Sequence, residues 1–234
     1  MSKPNVWLSV SDLMTGLMVI FLFVAIAYMN KVQENQSVLT EYVETIQKTH
    51  DNLVKEFAGD TLKWQMTIGK DLTLKFKNPT VLFAPGAHQL TPGFQAILNE
   101  FLPRYFNILL NDSLADKIQE IRIEGHTDDA PLSSYHPDPY IANVMLSQQR
   151  ALSVIRYFRS MPAYNDYTPE QKRQLEFWLT ANGLSFGRAL DSDGRYILQS
   201  DKPIDRTLSR RVEFRIVTNG SEVIENFVKE NSKL

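Results

Sequence analysis

Cysteine is absent from all 234 residues, so disulfides and thiolate metal sites are excluded outright. That absence fits an oxidising and a reducing compartment equally and says nothing of location. Histidine is scarce. His50, His88, His126 and His136 stand apart with no HxH or HxxxH pair, so a metal centre is not expected. Neither sign of charge dominates: 25 Lys and Arg stand against 27 Asp and Glu, a formal net charge of -2. There is no polycationic footprint, and direct contact with nucleic acid is not expected. Internal repeats, low-complexity stretches, Gly-rich phosphate loops and nucleophile–base constellations are all missing. The chain is read as a non-enzyme that needs no cofactor.

What is there is unevenly spread. A mean hydropathy of -0.25 suits a soluble body, yet the apolar residues concentrate at one end. Leu13 to Met29, "LMTGLMVIFLFVAIAYM", carries no charge, and from Trp7 to Met29 the only formal charge is Asp12. About twenty apolar residues cross a hydrocarbon core, so the segment reads as a transmembrane helix. Trp7 and Tyr28 fall where aromatic rings favour the interfaces. Lys3 and Lys31 flank the segment on both sides and orient it only weakly. A cleaved signal peptide is the competing reading, since Ala25-Ile26-Ala27 offers an A-x-A site, but Asp12 and the single Lys3 fit it badly. Two roles stay open for Asp12. It caps the helix at the membrane surface, or it lies about two turns inside a helix that begins near Pro4. A carboxylate within a bilayer is costly and marks function.

Residues 31–58, "KVQENQSVLTEYVETIQKTHDNLVKEFA", contain neither Gly nor Pro. Val32, Leu39, Ile46 and Leu53 recur every seven residues, with Val43 and Phe57 four places after two of them. The beat predicts a helical stalk. It serves either as a self-associating coiled-coil seam or as an amphipathic face lying on the chain's own globular domain. Gly59-Asp60 ends it. The expected organisation is a tail and membrane helix over 1–30, a stalk over 31–59 and a globular domain over 60–234.

In that domain "LKWQMTIGKDLTLKFKN" alternates about Gly69-Lys70-Asp71 as a hairpin does. "VLFAPGAHQLTPGF" predicts a short strand and a turn-rich loop, leading into a helix from Pro92 to Leu110. "IQEIRIEGHTDD" predicts a strand that delivers His126, Thr127 and Asp128 at its end. Tyr140 to Arg159 has helical periodicity. Thr168-Pro169-Glu170-Gln171 is a capping signal for a further helix expected to close at Asn182-Gly183. "RRVEFRIVTN" predicts a last strand, followed by a short charged helix. The fold class is therefore α+β, a two-layer αβ sandwich with a mixed sheet behind a single membrane helix.

"IRIEGHTDDAP", then "NVMLSQQRALSVIRYF", then "SRRVEFRIV" resembles the OmpA-like peptidoglycan-binding family, whose marks are GHTD, NxxLSxxRA and a late RRVE in that order. The match covers about residues 65–218. Ser209 stands where the family usually has Asn, and the stretches "LSSYHPDPYIA" and Ser185–Asp205 are enlarged. The resemblance implies a cleft that grips the diaminopimelate-containing wall peptide. Asp128 would meet the ligand's ammonium and Arg150 its carboxylate, with Thr127 and Asn143 in support. Taken singly, Asp128 reads as well as a turn former and Arg150 as a surface ion-pair partner.

"SDLMTGLMVIFLFV" in turn resembles the membrane helix of the MotB stator family, which carries an ion-binding Asp in an ADFMT-type motif. The short stretch before the helix and the compact domain look closer to the ZorB subunits of Zorya anti-phage systems. The resemblance implies that Asp12 carries an ion. In a dry helix interface a charged carboxylate bears a large desolvation penalty, so it takes up and releases a proton. Ser9, Ser11 and Thr15 would support the ion path, and Gly16 would let a partner helix approach. Further implications are a polytopic MotA-like or ZorA-like subunit, five copies around a dimer of this chain, in the bacterial inner membrane. The N-terminus would be cytoplasmic and the domain periplasmic, on peptidoglycan. The helix does not separate proton from sodium; a proton is the reading taken. A flagellar stator and a static wall tether are the alternatives.

Overall fold

The computed structural model describes residues 6–77, 82–110, 115–132, 135–218 and 220. Its chain forms two compact units, Met1–Glu44 and Thr45–Leu234. Helix α1 (Val6–Phe57) begins in the first and ends in the second. Within the first, Val10–Gln33 is 24 residues long and apolar enough to cross a membrane. At a rise of about 1.5 Å per residue it measures roughly 36 Å, against a hydrocarbon core of about 30 Å. Leu13, Phe21, Phe23 and Tyr28 are all exposed on it. That much unburied apolar surface is tolerable in lipid and unfavourable in water.

The second unit takes in the end of α1. Leu53 and Phe57 are wholly buried there, and Ile46 packs on the same core. Phe57 lies 5.2 Å from Phe101 and 6.1 Å from Trp64, ring centre to ring centre. Arg104 covers the Phe57 ring at 4.8 Å, donating to Glu56 at 2.6 Å and to Asp60 at 2.8 Å. Residues four apart share a helix face, so Leu53 and Phe57 enter the core together. The domain by packing thus begins at Thr45, ahead of the break expected at Gly59-Asp60. Over Thr45–Phe57 the seven-residue stripe faces the chain's own domain.

Beyond α1 come β1 (Met66–Ile68), β2 (Thr73–Phe76), α2 (Pro92–Leu109), β3 (Ile118–Gly125), α3 (Pro139–Ser160), α4 (Pro169–Trp178), β4 (Leu179–Gly183), a single turn α5 (Arg206–Ser209) and β5 (Val212–Thr218). Each long helix starts where a cap demands it. The Thr91 hydroxyl accepts from Phe94 N, the Asp138 carboxylate accepts from Tyr140 N and Ile141 N, and Thr168 with Gln171 forms a full capping box. The strands lie in the order β1-β2-β5-β3-β4. Every neighbouring pair is antiparallel except β3 and β4, which are parallel. Phe76, Phe94, Phe101, Tyr105 and Phe214 stack into the centre of the core, with Phe101 5.1 Å from both Phe76 and Phe214. The two-layer α+β class with a mixed sheet is the observed one.

Two elements differ from the sequence expectation. Helix α4 stops at Trp178, and Leu179–Gly183 is the edge strand β4. Trp178 donates its indole N–H to Ile118 O at 2.9 Å, which pins the helix end to β3 and leaves "LTANG" to extend beside it. All five of its residues are half-buried, so no alternation betrayed the strand. Among the described residues of 82–90, only the single bridge Phe83↔Leu90 replaces the expected short strand. The charged helix expected at the end of the chain lies outside the described residues.

Because Phe57 is a core residue, Phe57→Ala should destabilise the Thr45–Leu234 unit by about 3–5 kcal/mol in denaturant titrations. A fragment that starts at Asp60 loses Leu53 as well and should be less stable still. Ile46→Ala should cost less, since Ile46 is only partly buried. Equal stability of fragments starting at Thr45 and at Asp60 would refute the docked helix end.

Candidate functional site

The site is built where β3 ends. Gly125 closes that strand against α3 so tightly that a Cβ there would sit 2.2 Å from Ser147 O. Only glycine lets strand and helix approach this closely, and the approach sets the path of the loop after β3. His126 N donates to Arg211 O at 3.0 Å and Thr127 N to Ser185 O at 3.0 Å. Asp128 then turns the chain, its Oδ1 accepting from Ala130 N at 3.2 Å. Asn143 on α3 ties this loop down, donating to Ala130 O at 3.1 Å and Pro139 O at 3.0 Å.

Beside the loop is a cavity of about 310 Å³, lined by Leu82, Phe83, Ala84, Pro85, Thr91 and three arginines, Arg150, Arg210 and Arg211. The arginines are not equivalent. Arg211 is fully buried and spent: it donates to Glu213 at 2.6 Å, to Ser209 O at 3.3 Å and to Arg188 O at 3.2 Å. Arg150 donates to Ala87 O at 2.9 Å and lies 4.9 Å over the Phe83 ring. It makes no ion pair among the described residues, although it is only 6 % exposed. Burial pushes its guanidinium down to about 10, which leaves it charged at neutral pH. A buried cation whose only oxygen partners among the described residues are carbonyls is poised to take an anion. Arg210 forms an ion pair with Asp128 at 3.4 Å.

Of the four residues expected here, Arg150 alone lines the cavity. Asp128 reaches its edge through Arg210. Thr127 and Asn143 are buried, each with one oxygen that has no partner, Thr127 Oγ1 and Asn143 Oδ1. Arg210 and Arg211 were missed as site residues, though the RRVE run that holds them was visible. Ser209, the departure from the usual Asn, accepts from Leu190 N at 2.9 Å and donates to Leu190 O at 3.3 Å, tying the enlarged 185–205 region to α5, just before β5.

Beneath the loop lies a buried charge cluster. Glu124 and Glu213 are directly opposite on β3 and β5, and His126 Nε2 lies 3.6 Å and 3.9 Å from their carboxylates. These three offer ligand atoms within 4.8 Å of one another. Arg211 and Arg215 already pair with the carboxylates, so the cluster reads as a salt-bridge network rather than a metal centre. Burial alone would push both carboxyls up. The nearby His126 ring and Arg215 hold Glu124 below the usual range, and His126, Arg211 and Lys75 do so for Glu213. Burial holds His126 below its ordinary value.

In the membrane-length part of α1, Asp12 lies inside the helix and is not its N-cap. Asp12, Thr15 and Gly16 share a face at i, i+3 and i+4. Thr15 Oγ1 donates to Ser11 O at 2.8 Å, leaving its lone pairs available. Ser9 lies on the same helix, one turn before Asp12.

The OmpA family profile matches residues 82–164, the stretch that carries the cavity rim, the GHTD loop and α3. A bilayer-length helix with an internal acid, followed by an OmpA domain, defines the class: a stator-type OmpA-domain subunit. The chain is 36 % identical to the Zorya protein ZorB of Escherichia coli over 230 residues, 96 % of this chain and 92 % of that one. It belongs to the ZorB family. Among solved structures it is similar to a putative MotB-like protein from Desulfovibrio vulgaris (25 % identity, TM-score 0.49, 76 % of this chain and 96 % of that one). Another is the periplasmic domain of Helicobacter pylori MotB (16 % identity, TM-score 0.41, 69 % and 92 %).

The geometry makes two outcomes testable. If Asp128 and Arg150 are the ligand's charge partners, Asp128→Ala or Arg150→Ala should abolish co-sedimentation of the full chain with peptidoglycan while the domain still melts cooperatively. Losing one partner of a paired charge contact commonly costs about 2–5 kcal/mol. Undiminished sedimentation of both variants would reject the pair. The second outcome concerns pH. An unfolded His126 takes up a proton near its ordinary value of 6.5, whereas the folded, depressed one does so only further down. Stability should therefore fall as pH drops through that value. His126→Gln should flatten this part of a denaturation profile between about pH 7.5 and 5.5.

Proposed function

We propose that this chain is the wall-anchored, inner-membrane subunit of an ion-driven rotary complex that serves anti-phage defence. Asp12 is its ion-carrying residue. The observation that carries the reading is the place of Asp12: inside a helix of bilayer length, on one face with Thr15 and Gly16, in a chain with an OmpA domain at its other end. A lone helix cannot satisfy a carboxylate in hydrocarbon. A polytopic MotA-like or ZorA-like partner is required to close the ion path, five copies around two of this chain. Ser9, Ser11 and Thr15 supply hydroxyls along it.

Proton binding neutralises Asp12 and lets its face move past the partner; release to the other side recharges it. With the N-terminus cytoplasmic and the domain periplasmic, Asp128 and Arg150 grip the diaminopimelate peptide, Thr127 and Asn143 brace the loop, and the wall supplies the fixed point. Dimerisation uses the segment of α1 before Thr45, since the stripe after it is already buried. Kinship with ZorB over nearly the whole chain favours defence over a flagellar role.

Asp12→Asn keeps size and hydrogen bonding but cannot exchange a proton. The complex should assemble, reach the membrane and bind wall, yet lose phage protection entirely. Asp12→Glu should retain part of it. Full protection by Asp12→Asn would reduce Asp12 to a structural residue and leave a static tether.

A further inference from the structure

Arg210 is the one cavity arginine placed to move. Its side chain is 38 % exposed over a buried Asp128 (8 %), and the two meet as a 3.4 Å ion pair, so Arg210 can swing to solvent provided another cation takes its place at Asp128. Arg211, next to it, is locked by its three partners. Arg150 is held by Ala87 O and the Phe83 ring. Arg210 Nε is buried without a hydrogen-bond partner in this arrangement, so the pair with Asp128 leaves donor capacity unused. Arg150 and Arg210 also repel: the charge of Arg210 is among the causes that lower Arg150, while Asp128 opposes them. With Asp128 holding Arg210, that repulsion is offset.

Resting on the wall-binding reading above, we infer that Arg210 is a specificity-determining residue: an internal counter-ion that occupies Asp128 in the free cleft and is exchanged for the ligand's ammonium. The exchange sets a double requirement. An ammonium that takes Asp128 frees Arg210 beside Arg150, and two unpaired cations in one cavity are unfavourable. A carboxylate alone meets only Arg150, because Arg210 stays held. A ligand that brings both groups satisfies Asp128 with its ammonium and both arginines with its carboxylate. The cleft thus rejects simple polyamines and simple dicarboxylates, and selects a zwitterionic end group. Specificity arises from the unpaired charge that each wrong ligand leaves behind.

Three compounds with matched chains test this as competitors for sacculus binding by the full-length protein: meso-diaminopimelate, pimelate without the ammonium groups, and cadaverine without the carboxylates. The unsubstituted protein should respond to meso-diaminopimelate alone. Arg210→Gln frees Asp128, so cadaverine should gain and meso-diaminopimelate should lose about tenfold or more each. Arg210→Lys, which keeps a cation in place, should hold most of the selectivity and shows that a loss in Arg210→Gln is not misfolding. Unchanged selectivity in Arg210→Gln with wall binding intact overturns the role of Arg210 and leaves the wall reading standing. If the unsubstituted protein does not sediment with sacculi at all, both fall together.

Discussion

Two carboxylates cannot face each other across neighbouring strands inside a protein unless cations are brought to them. Glu124 on β3 and Glu213 on β5 are such a pair, each almost fully buried. Compensation comes from Arg211 and Arg215 on or beside β5 itself, with Lys75 from β2 and Arg188 from the enlarged loop. The arrangement determines much of what surrounds it. Arg211 must point inward, which turns its neighbour Arg210 outward to the cavity edge and Asp128. His126 must pass through the cluster on the way from β3 to the loop. The loop after β3 is thus tied to a buried charge network, which shares Arg211 with the cavity.

The same economy of charge governs the other end of the chain. Asp12 is the one acid of the membrane-length span Val10–Gln33, and a charge at such a place is costly. The two sites ask for opposite things. Under the proposed function Asp12 exchanges its charge, and it shares its helix face with Thr15 and Gly16. Asp128, by contrast, is paired with Arg210 at 3.4 Å. The two carboxylates stand in separate units of the chain.

Much of this was legible in residue order alone. The helix read from Pro92, the periodicity of Tyr140–Arg159 and the Thr168 capping box announce α2, α3 and α4, and alternation announces β1, β2, β3 and β5, because periodicity, capping and pleating act within a few residues. The acid in the apolar run, the GHTD loop and Arg150 were visible for the same reason: each is a local pattern. What failed to show was of a different kind. "LTANG" has no periodicity, and it became β4 because the Trp178 indole fastens the preceding helix to Ile118. The stripe of Ile46, Leu53 and Phe57 reads identically as a dimer seam or a docked face; the Arg104 clamp and the ring of Phe101 made it a docked face. Nothing local marks Arg210 as a residue of the cavity rim, since its partner Asp128 is supplied by a loop far earlier in the chain.

By itself, then, the sequence determined the elements, the membrane-length helix and the identity of the charged residues, because propensity, capping and hydrophobic length depend on near neighbours. Only the tertiary structure decided which charges meet. Ion pairs form between residues that the sheet order β1-β2-β5-β3-β4 brings side by side, and that order places β5, the last of the described strands, between β2 and β3. The long-range pairing that inserts β5 also carries Arg210 to Asp128, Arg211 to Glu213 and Arg215 to Glu124, and with them the shape of the cleft.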